Sequence, residues 1–492
     1  MGVVQMRRIA KVETVFTKPF RALERSIVGA EGDTRFPWRV GGALYIASFG
    51  LQLVFLQAYF WDDWTVYASR SKNETNDFFS SVGFGPLHSI VQVDLLHRSP
   101  TLFHLLSLLI FFLCGVLVFK ILRTIAYLSA QQSRMITLFF LVLPINSARV
   151  AMMVFNYSYS LLLFLFGWYL LTCHKTKLVR LTSTLFFLAS FSTLSLLPFF
   201  FLPVAHLYSQ LRKRSVDKRA IFTCLTFAMI APLYWYLSRT VFAPASSARL
   251  NYLTPTFSGI CRAIILMTLL FIGVAWSLLH KSGANEDFRK QILWFGAFAI
   301  GCGAFAYMTS GRLVDLSEWM LNFVPRGSDW DSRHQLLLGL GLSVVIVGLF
   351  GPLNTAFKRS AVTACLLLCV SLNMLFMQSY YLDSLKQKET IQFFQSSSGV
   401  KEANVIMIED NAAVFNARGR GVRSYEWEGM LRSLFGNDNK KVIYSTFIEC
   451  GNAGAIIPDT RITLSATNGR LRAMLIGNIG LQIFVEKIEP CG

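Results

Sequence analysis

The sequence predicts a mainly α-helical, polytopic membrane protein that ends in a small α/β region. Three observations predict it. Of 492 residues, 53% are hydrophobic and only 15% are charged, where an ordinary soluble domain carries about 25% charge. The apolar residues gather into runs approaching the roughly 20 that a bilayer-spanning helix needs. From about residue 380 the runs become short and turn residues separate them, the pattern of strands and brief helices.

Taken in order, the first segment, 1–39, is polar and basic, with Arg7, Arg8, Lys11, Lys18, Arg21, Arg25, Arg35 and Arg39. It has no short apolar core of the signal-peptide kind. Phe16, Phe20 and Ile27 among the bases suit either an amphipathic helix on the inner membrane surface or a solvated arm. Apolar runs follow at 40–60, 101–119, 135–151 (interrupted by Pro144) and 155–171. The stretch 181–208 contains Pro198 and Pro203 and has basic clusters at both ends, so it reads as a hairpin of two short helices. Further runs lie at 220–238, 259–279, 291–308, 334–353 and 360–379. Together they make about eleven transmembrane helices, with the N-terminus inside and the tail on the far side. The loops this places in the cytoplasm hold roughly half of the 47 Lys and Arg, and the outer loops ahead of the tail roughly a fifth. That bias accounts for the net charge of +19 without invoking nucleic acid, for which no binding signature is present.

The tail, 380–492, is long enough for a small extracytoplasmic α/β domain. Strands are expected at Val405–Ile408, Val442–Tyr444, Ala473–Ile476 and Leu481–Val485, with a helix over Tyr425–Phe435 and a turn at Gly477–Gly480. No phosphate loop, nucleophile elbow or metal cluster stands out. Cys450 and Cys491 suit one disulfide if the tail is outside the cytoplasm. The other seven cysteines lie in or beside apolar runs and read as small buried hydrophobes.

The chemistry-bearing stretch is Trp61-Asp62-Asp63-Trp64, where the first apolar run ends and the long outer loop 61–100 begins. Charge is costly in hydrocarbon, so a carboxylate pair at that edge marks either function or a helix end at the interface. Cations expected on the same side include Arg149, Arg333 and His334, with Arg98, Arg249 and Arg262 behind them. Each is by itself more often an interfacial, snorkelling side chain. His88, His97 and His104 lack metal-ligand spacing on one helix turn and read as structural.

The arrangement resembles the GT-C superfamily of membrane glycosyltransferases. The Asp-Asp-aromatic step after the first helix, Gly85-Pro86-Leu87 in the loop and Leu102-Phe103-His104-Leu105-Leu106-Ser107 after it carry the likeness. Within the superfamily the chain is most similar to bacterial and phage O-antigen glucosyltransferases (Gtr, serotype conversion). Where relatives often carry Gly-Arg-Pro-Leu, this chain has Phe84-Gly85-Pro86-Leu87. The connection after the third run holds Asn146 and Arg149 in place of a second acidic motif.

The resemblance implies transfer of a sugar, glucose in the nearest relatives, from undecaprenyl-phosphate-sugar to a hydroxyl of a surface polysaccharide or lipopolysaccharide. The site would lie on the periplasmic face of the bacterial inner membrane. Such a reaction needs a carboxylate base and cations for the departing phosphate, but no nucleotide fold, because the activated sugar arrives on lipid. Asp63 is the expected base with Asp62 as its partner, or the reverse. Arg149, Arg333 and His334 are the expected phosphate binders. Trp61 and Trp64 are expected either to stack on sugar or to anchor at the interface. No cofactor beyond the lipid-linked donor is implied and no metal is indicated. The rival expectations are an O-antigen polymerase or ligase, a lipid-linked sugar transporter and a passive anchor for the tail.

Overall fold

The computed structural model describes residues 21–29, 35–68, 70–81, 89–95, 99–125, 128–173, 176–212, 218–240, parts of 256–269, 286–309, 335–351, 353, 355–436, 440–443 and 458–487. It is mainly helical. Four helices are long and apolar enough to cross a membrane: Pro100–Leu122, Met152–Thr172, Arg289–Met308 and Ala356–Ser396. They coincide with four of the apolar runs. Much of the expected 259–279 span lies outside the described residues.

Three of the expected spans, 40–60, 135–151 and 334–353, hold helices shorter than their apolar runs. Helix α1 (Trp38–Phe49) gives way at Gly50 to a 3-10 turn, Gly50–Val54, although the sequence stays apolar to Phe60. Gln52 is the reason that the turn is stable. Its side chain meets His104 Nδ1 at 2.9 Å, and His104 Nε2 lies 3.2 Å from the Ala58 carbonyl. The turn thus finds polar partners inside the protein, the condition for irregular backbone at membrane depth. Helix α2 (Lys72–Ser81) follows, then α3 (Pro100–Leu122), which opens with proline in its first turn. Helix α4 (Ala130–Val142) starts on a capping box made by Ser129 and Gln132 and stops two residues before Pro144. Short 3-10 turns then lead into α5 (Phe155–Cys173).

The 181–208 stretch does break: α6 (Lys177–Ser190) ends before Phe191 and α7 (Phe201–Arg212) begins after a short turn of helix at Leu196–Phe199. Helices α8 (Lys218–Ala228), α9 (Ile230–Thr240), α10 (Glu286–Thr309) and α11 (Leu338–Phe350) follow. At the N-terminal end, residues 21–28 are helical, but Ile27 is turned into the protein rather than toward lipid. Arg134 bonds the carbonyls of Ser26 and Ile27, and Glu24 pairs with Arg359.

Helix α12 (Ala356–Ser396) has 41 residues. At 1.5 Å per residue it is roughly 60 Å long, twice the hydrocarbon thickness. After Lys358 and Arg359 in its first turn, its first half is mainly apolar through Met377, and its second half carries Asp383, Lys386, Lys388 and Glu389. The C-terminal segment packs on that second half. It holds a four-stranded sheet in the order β2-β1-β3-β4, formed by β1 (Val405–Asp410), β2 (Lys441–Ile443), β3 (Thr460–Ala466) and β4 (Leu481–Lys487). β1 runs parallel to β2 and β3, and β4 is antiparallel to β3.

One expected strand is corrected. Ala473–Ile476 belongs to a helix, α14 (Arg470–Ile476), and the strand paired with β4 is β3. Arg470-Leu471-Arg472-Ala473-Met474-Leu475 contains strong helix formers, and Gly477 closes the helix with φ of 67°. Helix α13 (Ser424–Phe435) lies where expected. Lys386 fastens the segment to α12: its ammonium, buried, reaches both Asp410 carboxylate oxygens and Asn416 Oδ1 at 2.5–2.6 Å.

Helix α13 meets the first loop along one face. Tyr425, Gly429 and Arg432 follow the i, i+4, i+7 spacing of a helix face. Gly429 is the contact that no other residue can make. A Cβ there would lie 2.8 Å from the Trp64 carbonyl carbon and oxygen. Gly429→Ala is therefore expected to push α13 off the loop and lower the melting temperature in detergent by several degrees. An unchanged melting curve would show that the two elements are not in close register.

Candidate functional site

The first loop enters its turn with strain. Trp61 has φ of 51°, the one non-glycine residue with positive φ among the described residues. Such a conformation costs about 1–3 kcal/mol and persists only where the surroundings dictate it. Asp63 supplies much of that constraint. Its carboxylate is fully buried and accepts three backbone N–H bonds, from Phe60 at 3.1 Å and from Met152 and Met153 at 2.9 Å each. It joins the first loop to the entry of α5, 89 residues away in sequence. Burial pushes the Asp63 carboxyl up to about 7, against the three amide donors, which favour the anion.

Asp62 is placed differently. It is half-buried, and its Oδ1 accepts the Tyr425 hydroxyl at 2.8 Å. Its Oδ2 has no partner among the described residues. The carbonyl of Tyr425 accepts the Thr65 hydroxyl at 3.3 Å. Arg423 lies over the Tyr425 ring at 6.0 Å. Arg420 lies over the Trp61 indole at 5.3 Å while its guanidinium forks onto Glu426 with two bonds of 2.6 Å. Burial and the neighbouring Asp62 carboxylate both push the Tyr425 hydroxyl well above the usual phenol range, so it stays a donor.

The two acids expected to act as one pair therefore have separate surroundings. The arginines over Trp61 and Tyr425, Arg420 and Arg423, come from the basic segment Arg418-Gly419-Arg420-Gly421-Val422-Arg423, which sequence reasoning did not single out. Three arginines in six residues, just ahead of a helix carrying Tyr and Glu, were the available signal.

The tryptophans also diverge. Trp61 is buried against Tyr380, with ring centres 5.7 Å apart. Trp64 packs on Tyr59 at 4.9 Å, and both line a cavity of about 1060 Å³. That cavity lies between the first loop, the N-terminus of α3, the second half of α12 and the end of α13. Leu53 and Val54, both exposed, form one wall; Lys388, Arg432 and the amides of Gln57, Gln387 and Gln392 form others. Gln387 also clasps the Tyr59 backbone, donating to its carbonyl at 2.8 Å and accepting from its N–H at 3.4 Å. Arg432 pairs with Glu74 at 2.8 Å. Hydrogen bonds from the Ser71 amide and hydroxyl, then Arg432, hold the Glu74 carboxyl down to about 2.

Arg149 is not at an aqueous edge. Its guanidinium carbon sits 3.4 Å from the Phe49 ring centre, 4.3 Å from Phe111 and 5.5 Å from Tyr45, with Nη2 lacking any hydrogen-bond partner. It is a buried cation in an aromatic cage. Arg333 and His334 lie outside the described residues, as do Arg98, Arg249, Arg262, His88, His97, Cys450 and Cys491. Among the described residues no group of three or more His, Cys, Asp or Glu is placed to hold a metal ion. Comparison of the chain with protein-family models, with curated proteins and with solved structures finds no match.

Asp63→Asn tests the structural role directly. An amide presents one acceptor oxygen where three N–H groups converge, and each orphaned buried donor costs about 1–3 kcal/mol. The variant is expected to yield little folded protein and to melt well below wild type, measured by fluorescence size exclusion and thermal denaturation. Normal yield and melting would show that the three bonds carry little stability.

Proposed function

We propose that the chain is a GT-C-like glycosyltransferase that moves a sugar, glucose by resemblance, from undecaprenyl-phosphate-sugar to a hydroxyl of a surface polysaccharide such as O-antigen. In this reading about eleven helices cross the bacterial inner membrane. The C-terminal segment and the 61–100 loop then share the periplasmic side. The observation that carries the proposal is Asp62: a half-exposed carboxylate with one oxygen fixed by Tyr425 and the other unpartnered among the described residues, at the edge of the helical bundle.

The sequence leaves either acid open as the base, and the geometry favours Asp62. Asp62 is the base, because an acceptor hydroxyl has access to it. Asp63 holds the backbone, because its oxygens already serve three amides. The acceptor oxygen attacks the anomeric carbon as its proton passes to Asp62 Oδ2. The bond from that carbon to the phosphate oxygen breaks, and the pair leaves with the phosphate, inverting the centre. General-base catalysis of this kind contributes about 10²–10⁴-fold.

The donor is assigned to the cavity beside Trp64. Exposed Leu53 and Val54 suit the isoprenoid chain, and Lys388 and Arg432 are the cations placed for the phosphate. Trp64 is the better placed of the two tryptophans for a sugar face, since it reaches the cavity.

Asp62→Asn should keep normal folding and lose transfer by about 10²-fold or more, assayed with purified lipid-linked glucose and an O-antigen acceptor. Full activity in that variant sinks the proposal. Tyr425→Phe should lower kcat by about 10-fold with little change in KM, because it loosens the base rather than the binding of substrate. Loss confined to KM would reassign Tyr425 to substrate binding.

A further inference from the structure

The C-terminal segment carries an apolar face that the other described residues leave open. On helix α14, Leu471, Leu475 and Ile476 are 71%, 77% and 55% exposed. Leu471 and Leu475 are four apart and share a helix face. Ala473, on another face, is buried against Leu382 and Leu385 of α12. Arg470 and Arg472 flank the apolar residues and are exposed. In a water-facing helix this would be an unpaid cost of about 25 cal/mol per Å².

The position of the helix along α12 decides what covers that face. The apolar half of α12 ends at Met377, and Tyr380 and Tyr381 follow it, the aromatic residues favoured at membrane–water interfaces. Gly477, the residue after α14, lies against Tyr381: a Cβ on it would be 3.4 Å from the Tyr381 hydroxyl. Four residues of helix rise about 6 Å, so α14 is level with the headgroup layer. Gly477 and Tyr381 line the same cavity as Leu53 and Val54 of the 3-10 turn after α1, themselves 43% and 63% exposed, so a second exposed apolar surface lies across that cavity from the end of α14.

We propose that α14 is an interfacial anchor that docks the C-terminal segment on the phospholipid surface. Leu471, Leu475 and Ile476 enter the acyl boundary, and Arg470 and Arg472 meet lipid phosphates. This is the physics of a short monotopic helix, apolar area plus electrostatic attraction to anionic lipid. It works together with the contacts to α12 to keep α13, and with it Tyr425, seated on the first loop.

The test uses the full-length protein in nanodiscs of phosphatidylcholine and phosphatidylglycerol. An environment-sensitive fluorophore is placed at Leu475→Cys and, as the water-facing control, at Lys401→Cys; wild type treated identically gives the background from native cysteines. The label at 475 is expected to be blue-shifted and to lose roughly half its emission when the discs contain lipid spin-labelled near the headgroup. The label at 401 is expected to be unaffected. Replacing Arg470 and Arg472 with Gln is expected to weaken the quenching at 475. Equal behaviour at the two sites, with a water-like spectrum at 475, overturns the proposal. So does a shielded label at 475 that responds to a second labelled copy in the disc and not to spin-labelled lipid.

Discussion

The structure around the first loop depends on one need: irregular backbone buried inside the protein must have its N–H groups paired. Phe60 lies in irregular backbone, and Met152 and Met153 open the helical stretch Met152–Thr172, where the first N–H groups have no partner within the helix. Asp63 answers all three with one carboxylate. A carboxylate is suited to this because it is acceptor-only and has about four lone-pair sites. An apolar residue would leave three orphaned donors, and an amide would bring donors of its own. The positive φ at Trp61 is then tolerable, since the bonds on either side of it fix the turn.

That constraint also separates two residues that look equivalent in sequence. Adjacent carboxylates suggest a coupled pair, and either could be the base on that view. The fold gives Asp63 to the interior and leaves Asp62 at the surface with Tyr425. Nothing within Trp61-Asp62-Asp63-Trp64 distinguishes them. The distinction comes from Met152 and Met153, and from Tyr425, which lies 363 residues away. The acidic step after an apolar run was therefore legible, whereas the different surroundings of its two carboxylates were not.

The same limit explains the other differences. Hydropathy finds apolar runs but not where a helix stops within one. Residues 50–60 are as apolar as those before them, yet Gln52 and His104 stabilise a turn there through a contact across 52 residues. Arg149 was visible as a charge inside an apolar stretch, but the aromatic cage around it is built from Tyr45, Phe49 and Phe111 on two other helices. Pro144, by contrast, is a local signal, and α4 ends beside it. Within the tail, β1, β2 and α13 were legible from local pattern. Ala473–Ile476 misled because Leu475 and Ile476 are exposed while Ala473 is buried, a one-sided helix and not an inward-facing strand.

The packing of α13 shows why a tail of this kind belongs to the site instead of hanging from it. Trp64 shares its hydrophobic cluster with Phe394, Ile406, Trp427, Met430 and Leu431, so the first loop completes the core of the sheet region. Lys386, Asp410 and Asn416 lock that region to α12 with a buried charge whose desolvation demands every one of those partners. Loss of a single partner leaves a buried ion unsatisfied, which costs about 3–5 kcal/mol. Such a network has essentially one low-energy arrangement. A shift of α13 by one turn would misplace Tyr425, put a side chain where Gly429 meets the Trp64 carbonyl, and part Arg432 from Glu74. The contacts that fix the register of α13, Gly429 on the Trp64 carbonyl and Arg432 on Glu74, are thus the ones that set a hydroxyl on Asp62, so the packing of α13 on the first loop and the geometry of the candidate base are one constraint.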